Sequence, residues 1–118
     1  MRLRSDIFVA AIIRRVFSAG GFAAVEHKGM DQAGAIFLRQ RFRDGLESLY
    51  APAPQSLIEA DDAEMSGDRQ FERRLDRVDA CEVAALMERE RRFDPDLWLL
   101  EIEIDQLDGL FSLVGEGG

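Results

Sequence analysis

The segment Arg91-Arg92-Phe93-Asp94-Pro95-Asp96-Leu97-Trp98 constrains this chain most, because it forces one element to end and another to begin with almost no connection. Pro95 lacks an N–H, has a fixed φ and disfavours helical geometry in the residue before it, so a helix arriving from upstream closes at Phe93. Beyond it, Trp98-Leu99-Leu100-Glu101-Ile102-Glu103-Ile104 has the two-residue alternation of a strand. Trp98, Leu100, Ile102 and Ile104 form its expected buried face, and Glu101, Glu103 and Asp105 the outer one. Upstream, Asp79 and Glu82 have the spacing of a capping box, Val78 and Val83 that of a hydrophobic staple, and Leu86 and Met87 continue the apolar stripe.

A second helix is expected over residues 5–19, with Ser5 as N-cap, Asp6 at the positive end of the dipole and Gly20 in the left-handed position after the last turn. Residues 7–13 are apolar on every side, and Val16 and Phe17 extend the wheel. One sheet covers only one side of such a helix. The surplus face, with Ile7, Phe8 and Ile12 as candidate interface residues, therefore calls for another part of the fold or a second copy of the chain, and a homo-oligomer through this helix is the expected association.

Strands are expected over residues 22–27, 33–42 and 46–51, separated by turn signals at Lys28-Gly29 and at Asp44-Gly45, where both residues accept positive φ. In the middle strand Ile36, Leu38 and Gln40 face one way and Phe37, Arg39 and Arg41 the other, which fits an antiparallel sheet with one covered face. Pro52-Ala53-Pro54 stops the third strand, and the acidic stretch 59–68 reads as a mobile loop. Residues 70–75 form a weaker fourth strand, made polar by Arg69, Arg73 and Arg74, and the pairing around Phe71 stays open. Asp108-Gly109 is expected to turn the chain so that Phe111 and Leu113 add a short edge strand. The fold class is α+β: a mainly antiparallel four- or five-stranded sheet packed with two helices, in the order α-β-β-β-(β)-α-β.

A length of 118 residues with 47% hydrophobic content suits one domain around one modest core. No apolar run approaches the roughly 18 residues of a membrane span, so no membrane association is expected. Arg2 and Arg4 before an apolar stretch imitate a secretory signal, but Asp6 precedes that stretch and Arg14-Arg15 interrupts it. The single cysteine, Cys81, cannot form an internal disulfide, which suits the cytoplasm, and a small buried filler is its expected role. The net charge of −8 is uneven: residues 1–51 hold eight basic groups against five acidic ones, leaving −11 for the remainder. An acidic whole gives no counterion-release drive, so nucleic acid is not an expected partner.

Two constellations carry potential chemistry. Glu26-His27-Lys28, with Glu47 further on, resembles the Glu-x-Lys element of metal-dependent nucleases, although there the motif lies on the third core strand and here it lies on the first. Arg14, Arg15, Arg39 and Arg41 would form an anion-binding set if the first helix packs across the sheet so that they converge, with ion pairs to Glu26 or Glu47 as the competing use. No acid, base and nucleophile stand at catalytic spacing, His27 has no partner at metal-ligand spacing, and no cofactor motif is present. The expected function is a non-enzymatic binding or protein-interaction module. The alternatives are a degenerate nuclease-like domain and a small enzyme with an arginine-lined anion site.

Four segments together, Arg2-Leu3-Arg4-Ser5-Asp6-Ile7-Phe8-Val9-Ala10-Ala11-Ile12-Ile13-Arg14-Arg15, Ala33-Gly34-Ala35-Ile36, Leu49-Tyr50-Ala51-Pro52-Ala53-Pro54 and Glu90-Arg91-Arg92-Phe93-Asp94-Pro95-Asp96-Leu97-Trp98, resemble the alphaproteobacterial family known as domain of unknown function 1491. The likeness covers most of the chain. It implies a small bacterial protein of the cytoplasm and carries no substrate.

Overall fold

A computed structural model describes residues 3–54, 69–107 and 109–114. The elements run α1 (Ser5–Ser18), β1 (Phe22–His27), β2 (Ile36–Arg41), β3 (Leu46–Pro52), β4 (Gln70–Asp79), α2 (Ala80–Phe93), β5 (Trp98–Glu103) and β6 (Ser112–Leu113). The six strands form one sheet in the order β1-β5-β2-β3-β4-β6. It is α+β and mostly antiparallel, with two parallel contacts, β2 with β5 and β4 with β6. The fourth strand is longer than the sequence pattern indicates, ten residues running directly into α2. Phe71, whose pairing the sequence leaves open, sits opposite Pro52 on one side and Leu113 on the other. The stretch 59–68 lies outside the described residues.

The joint at Pro95 explains the topology. Because β4 is antiparallel to β3, β3 to β2, and β2 parallel to β5, strands β4 and β5 point the same way and α2 is the crossover between them. Helix α2 returns over one face and Pro95 ends it, so β5 drops into the sheet between β1 and β2. A strand in that position is covered on both faces, and β5 is: Trp98, Leu100 and Ile102 join one buried cluster, Leu97 and Leu99 the other. The expected outer face of this strand is therefore only partly outer. Leu99 is buried and Glu101 half-buried, while Glu103 is exposed.

Each helix takes one face. Phe8, Val9, Ile12 and Val16 of α1 pack with Ile36, Leu38, Tyr50, Phe71 and the even-numbered side chains of β5. Val83 and Met87 of α2 pack with Phe37, Leu49, Ala51, Leu97 and Leu99. Alternation along a strand makes these opposite faces of the sheet. Val78 and Val83 share the second cluster, as a staple does, but Asp79 makes no side-chain cap bond, so the capping box does not form. Cys81 is exposed, because the buried stripe of α2 runs through positions 83 and 87 and position 81 falls on the outer side.

Ser5 also departs from expectation. It is the first residue of α1, and its hydroxyl donates to the Gly34 carbonyl at 2.6 Å while accepting from Arg69. The N–H groups of Ser5 and Asp6 donate to the carbonyls of Gln32 and Asp31, so the loop following β1 closes the helix end that a side chain was expected to cap. The same loop grips the joint. Met30 N–H donates to Asp96, and the Trp98 indole N–H donates to Met30 at 2.9 Å. Gly29 permits that approach, since a Cβ there would lie 2.2 Å from the Asp96 carbonyl oxygen. At the other end Gly20 (φ 90) closes α1 in a Schellman motif, its N–H donating to Phe17 and that of Gly21 to Val16. In the β2–β3 hairpin only Gly45 takes positive φ. Asp44 instead accepts from the Leu46 N–H and pairs with Arg77.

Candidate functional site

Arg39 and Arg41 point to the α2 face, as their alternation with Leu38 and Gln40 requires, and there they meet the acidic residues singled out in the sequence. Arg39 is 7% exposed. Its guanidinium donates to Glu47, to Glu26 at 3.1 Å and to the Ala80 carbonyl at the start of α2. Arg41 donates to the second carboxylate oxygen of Glu47 at 3.0 Å and to Glu101 at 2.7 Å. The result is a continuous chain, Glu26–Arg39–Glu47–Arg41–Glu101, crossing β1, β2, β3 and β5. Burial acts to lower the Arg39 pKa, but Glu47 and Glu26 outweigh it and hold the guanidinium above its ordinary value.

This geometry decides the two constellations. Glu26 and Glu47 do converge, yet the group between them is a guanidinium, which occupies the position a metal would need in a nuclease. A bulge in β1 between Val25 and His27 displaces Glu26 from regular alternation, and Lys28 lies past the strand end, exposed. Among the described residues no group of three or more His, Cys, Asp and Glu side chains could hold a metal ion. The four arginines do not converge, because α1 packs on the opposite face from Arg39 and Arg41. Arg14 is exposed, and Arg15 donates to the Leu110 carbonyl.

The candidate interface on α1 divides in the same way. Phe8 (1% exposed) and Ile12 (0%) belong to the chain's own core, and only Ile7 is on the surface, half-exposed. The exposed side of α1 also carries Phe17, whose ring meets the ring of Phe22 edge-on at 5.8 Å; Phe22 and Val25 of the edge strand β1 are themselves nearly half exposed.

Two features escape sequence reasoning. Gln40 and Tyr50 form a buried pair on the α1 face: the Tyr50 hydroxyl donates to Gln40 Oε1 at 2.7 Å, and Gln40 Nε2 donates to the Ile104 carbonyl. A glutamine alternating with Ile36 and Leu38 is the only signal for it. The other is Phe93, 90% exposed although it closes the helical pattern. The cleft of about 660 Å³ where β2 and β5 end brings Arg41 and Arg43 together with Glu103 and Asp105, charges of both signs without a nucleophile.

The arrangement defines a small α+β protein in which Glu26, Arg39, Glu47, Arg41 and Glu101 are spent on one another. Its family follows from comparison. The model for "Protein of unknown function (DUF1491)" matches residues 3–112, and the chain belongs to that family. It is similar to the solution structure of protein Atu0922 from A. tumefaciens, at 61% identity over 99% of this chain and 98% of that one, with a TM-score of 0.84. It is also similar to the crystal structure of a DUF1491 family protein from Caulobacter crescentus CB15, at 30% identity over 96% and 98% of the two chains, with a TM-score of 0.74. No curated protein matches the chain.

Proposed function

We propose that this protein is a small non-enzymatic interaction module of the bacterial cytoplasm. The observation that carries the reading is the continuous chain Glu26–Arg39–Glu47–Arg41–Glu101, which ties up both candidate carboxylates and two of the four candidate arginines. What remains unsatisfied is apolar surface: Ile7 and Phe17 on α1, Phe22 and Val25 on the edge strand beside it. That surface suits a protein partner, and a second copy of the chain is one such partner. With Phe8 and Ile12 inside the core, contact through α1 would fall to Ile7 and Phe17.

The test is a cleavage assay on single- and double-stranded DNA and RNA with Mg²⁺ or Mn²⁺. No cleavage is expected. Turnover abolished by both Glu26→Gln and Lys28→Ala would replace the interaction reading with a nuclease.

A further inference from the structure

Among the described residues, Phe93 is the most exposed of the large apolar side chains. It is 90% exposed, in a helix whose Val83 and Met87 are buried, and the turn at Pro95 holds it there. Beside it is a hollow of about 320 Å³ lined by His27, Glu88, Arg91, Arg92 and Pro95. Roughly 150 Å³ is enough to take a benzene ring. The walls suit one: the Pro95 ring, the imidazole, and arginine stems whose guanidinium groups can lie over an aromatic face. The imidazole is anchored, because Nδ1 lies 2.9 Å from the Leu97 carbonyl, an acceptor, and so donates to it. Phe93 does not fill the hollow of its own chain.

We propose that two copies of this chain associate about a two-fold axis at this corner, each Phe93 seated in the other's hollow. Charge selects a second copy as the occupant. Before the knob, Arg92 donates to Glu88 of its own helix at 2.8 Å and Glu90 lies 3.6 Å from Arg74, so Arg91 is the base beside Phe93 left to meet a partner, and Asp94 and Asp96 are the acids after it. Two such segments set antiparallel across a two-fold axis bring Arg91 of each against Asp96 of the other. This local match offsets the repulsion between two bodies of charge −8. Knob and hollow are adjacent, so the contact is reciprocal and closes at two copies instead of growing into a fibre. The corner lies at the end of α2, on the opposite face of the sheet from α1, and takes His27 from the end of β1. The inference rests on the interaction-module reading and names a partner for it.

Sedimentation of the full chain through high micromolar concentration tests it. The wild type is expected to reach a dimer, and Phe93→Ala to weaken its formation at least about thirtyfold, as removal of a central anchor does. Arg91→Asp alone and Asp96→Arg alone should each weaken it, and mixing the two variant proteins should restore it as a heterodimer, since each then meets its complement. Circular dichroism of each variant checks that it is folded. A wild type that stays monomeric overturns the proposal, as does a dimer indifferent to Phe93→Ala or a mixture that fails to recover. None of these failures produces nuclease cleavage, so they leave the interaction-module reading standing. A dimer that instead dissolves on Ile7→Asp or Phe17→Asp moves the contact to α1.

Discussion

Along β2, Ile36, Leu38 and Gln40 point toward α1 while Phe37, Arg39 and Arg41 point toward α2, and the two sets end in different chemistry. The α1 face is an apolar layer that also holds the Gln40–Tyr50 pair, Ser48, and the Arg69–Ser5 contact at its margin. The α2 face is half apolar, where Phe37, Leu49, Ala51 and Leu99 pack with Val83 and Met87 of α2, and half ionic, where Arg39, Arg41, Glu47 and Glu101 follow on the same strands. The same strands thus cover one face by packing and the other by pairing. The apolar face should tolerate loss of volume badly, and the ionic face should tolerate loss of one charge badly but loss of a whole pair well.

The largest effect should come from the packed face. Trp98→Ala is expected to cost about 3–5 kcal/mol in denaturant titration, because it empties a large volume and removes one of the two donors to the Met30 carbonyl, leaving only the Gly34 N–H. Next, Arg39→Met should cost about 2–3 kcal/mol, since buried Glu47 keeps its charge with Arg41 as its one remaining arginine partner. Adding Glu47→Leu should recover most of that loss. A double variant as unstable as the single one would break the distinction between the faces.

Tyr50→Phe comes below both, at about 1–2 kcal/mol, because Gln40 Oε1 loses its donor. Burial raises the Tyr50 pKa, while Arg73 opposes it. A group whose pKa is raised on folding favours the folded state fully below its unfolded value, about pH 10 for tyrosine, and loses that contribution as pH rises through the folded value. Tyr50 is the chain's single tyrosine, so its ionisation can be followed by ultraviolet absorbance. A folded-state midpoint at or below that of the unfolded chain would remove Tyr50 from the buried layer. The smallest effects should be at Glu103→Ala and Asp79→Ala, each below about 0.5 kcal/mol, the first because Glu103 is exposed and the second because its cap bond is not made.

The sequence carries the elements well and their neighbours poorly. Residues 22–27 are a strand at the expected bounds, and Trp98, Leu100 and Ile102 are buried as their alternation requires, because period and turn chemistry are local. That β5 inserts between β1 and β2 is not local; it depends on the path of α2, which no residue of β1 or β2 encodes. The misplacement of Arg14 and Arg15 beside Arg39 follows from the same gap, since which face a helix takes decides which charges meet. Ser5 shows a finer limit. A serine at a helix start has the same sequence signature whether its hydroxyl caps the helix or reaches Gly34, and only the return of the 28–35 loop selects between them.

The central position of β5 bears on how the chain emerges from a ribosome. The sheet partner of β1 is β5 alone, so every ladder bond of β1 waits for residues 99–103. Helix α1 waits as well, because Trp98, Leu100, Ile102 and Leu110 supply much of the surface it packs on. At roughly 5–20 residues per second the gap lasts several seconds. Through that interval the most apolar segment of the nascent protein has no permanent shelter, while the β2–β3 hairpin can already close. Synthesis therefore leaves the N-terminal segment until last in the order of assembly, a window in which a chaperone or another nascent copy can reach it.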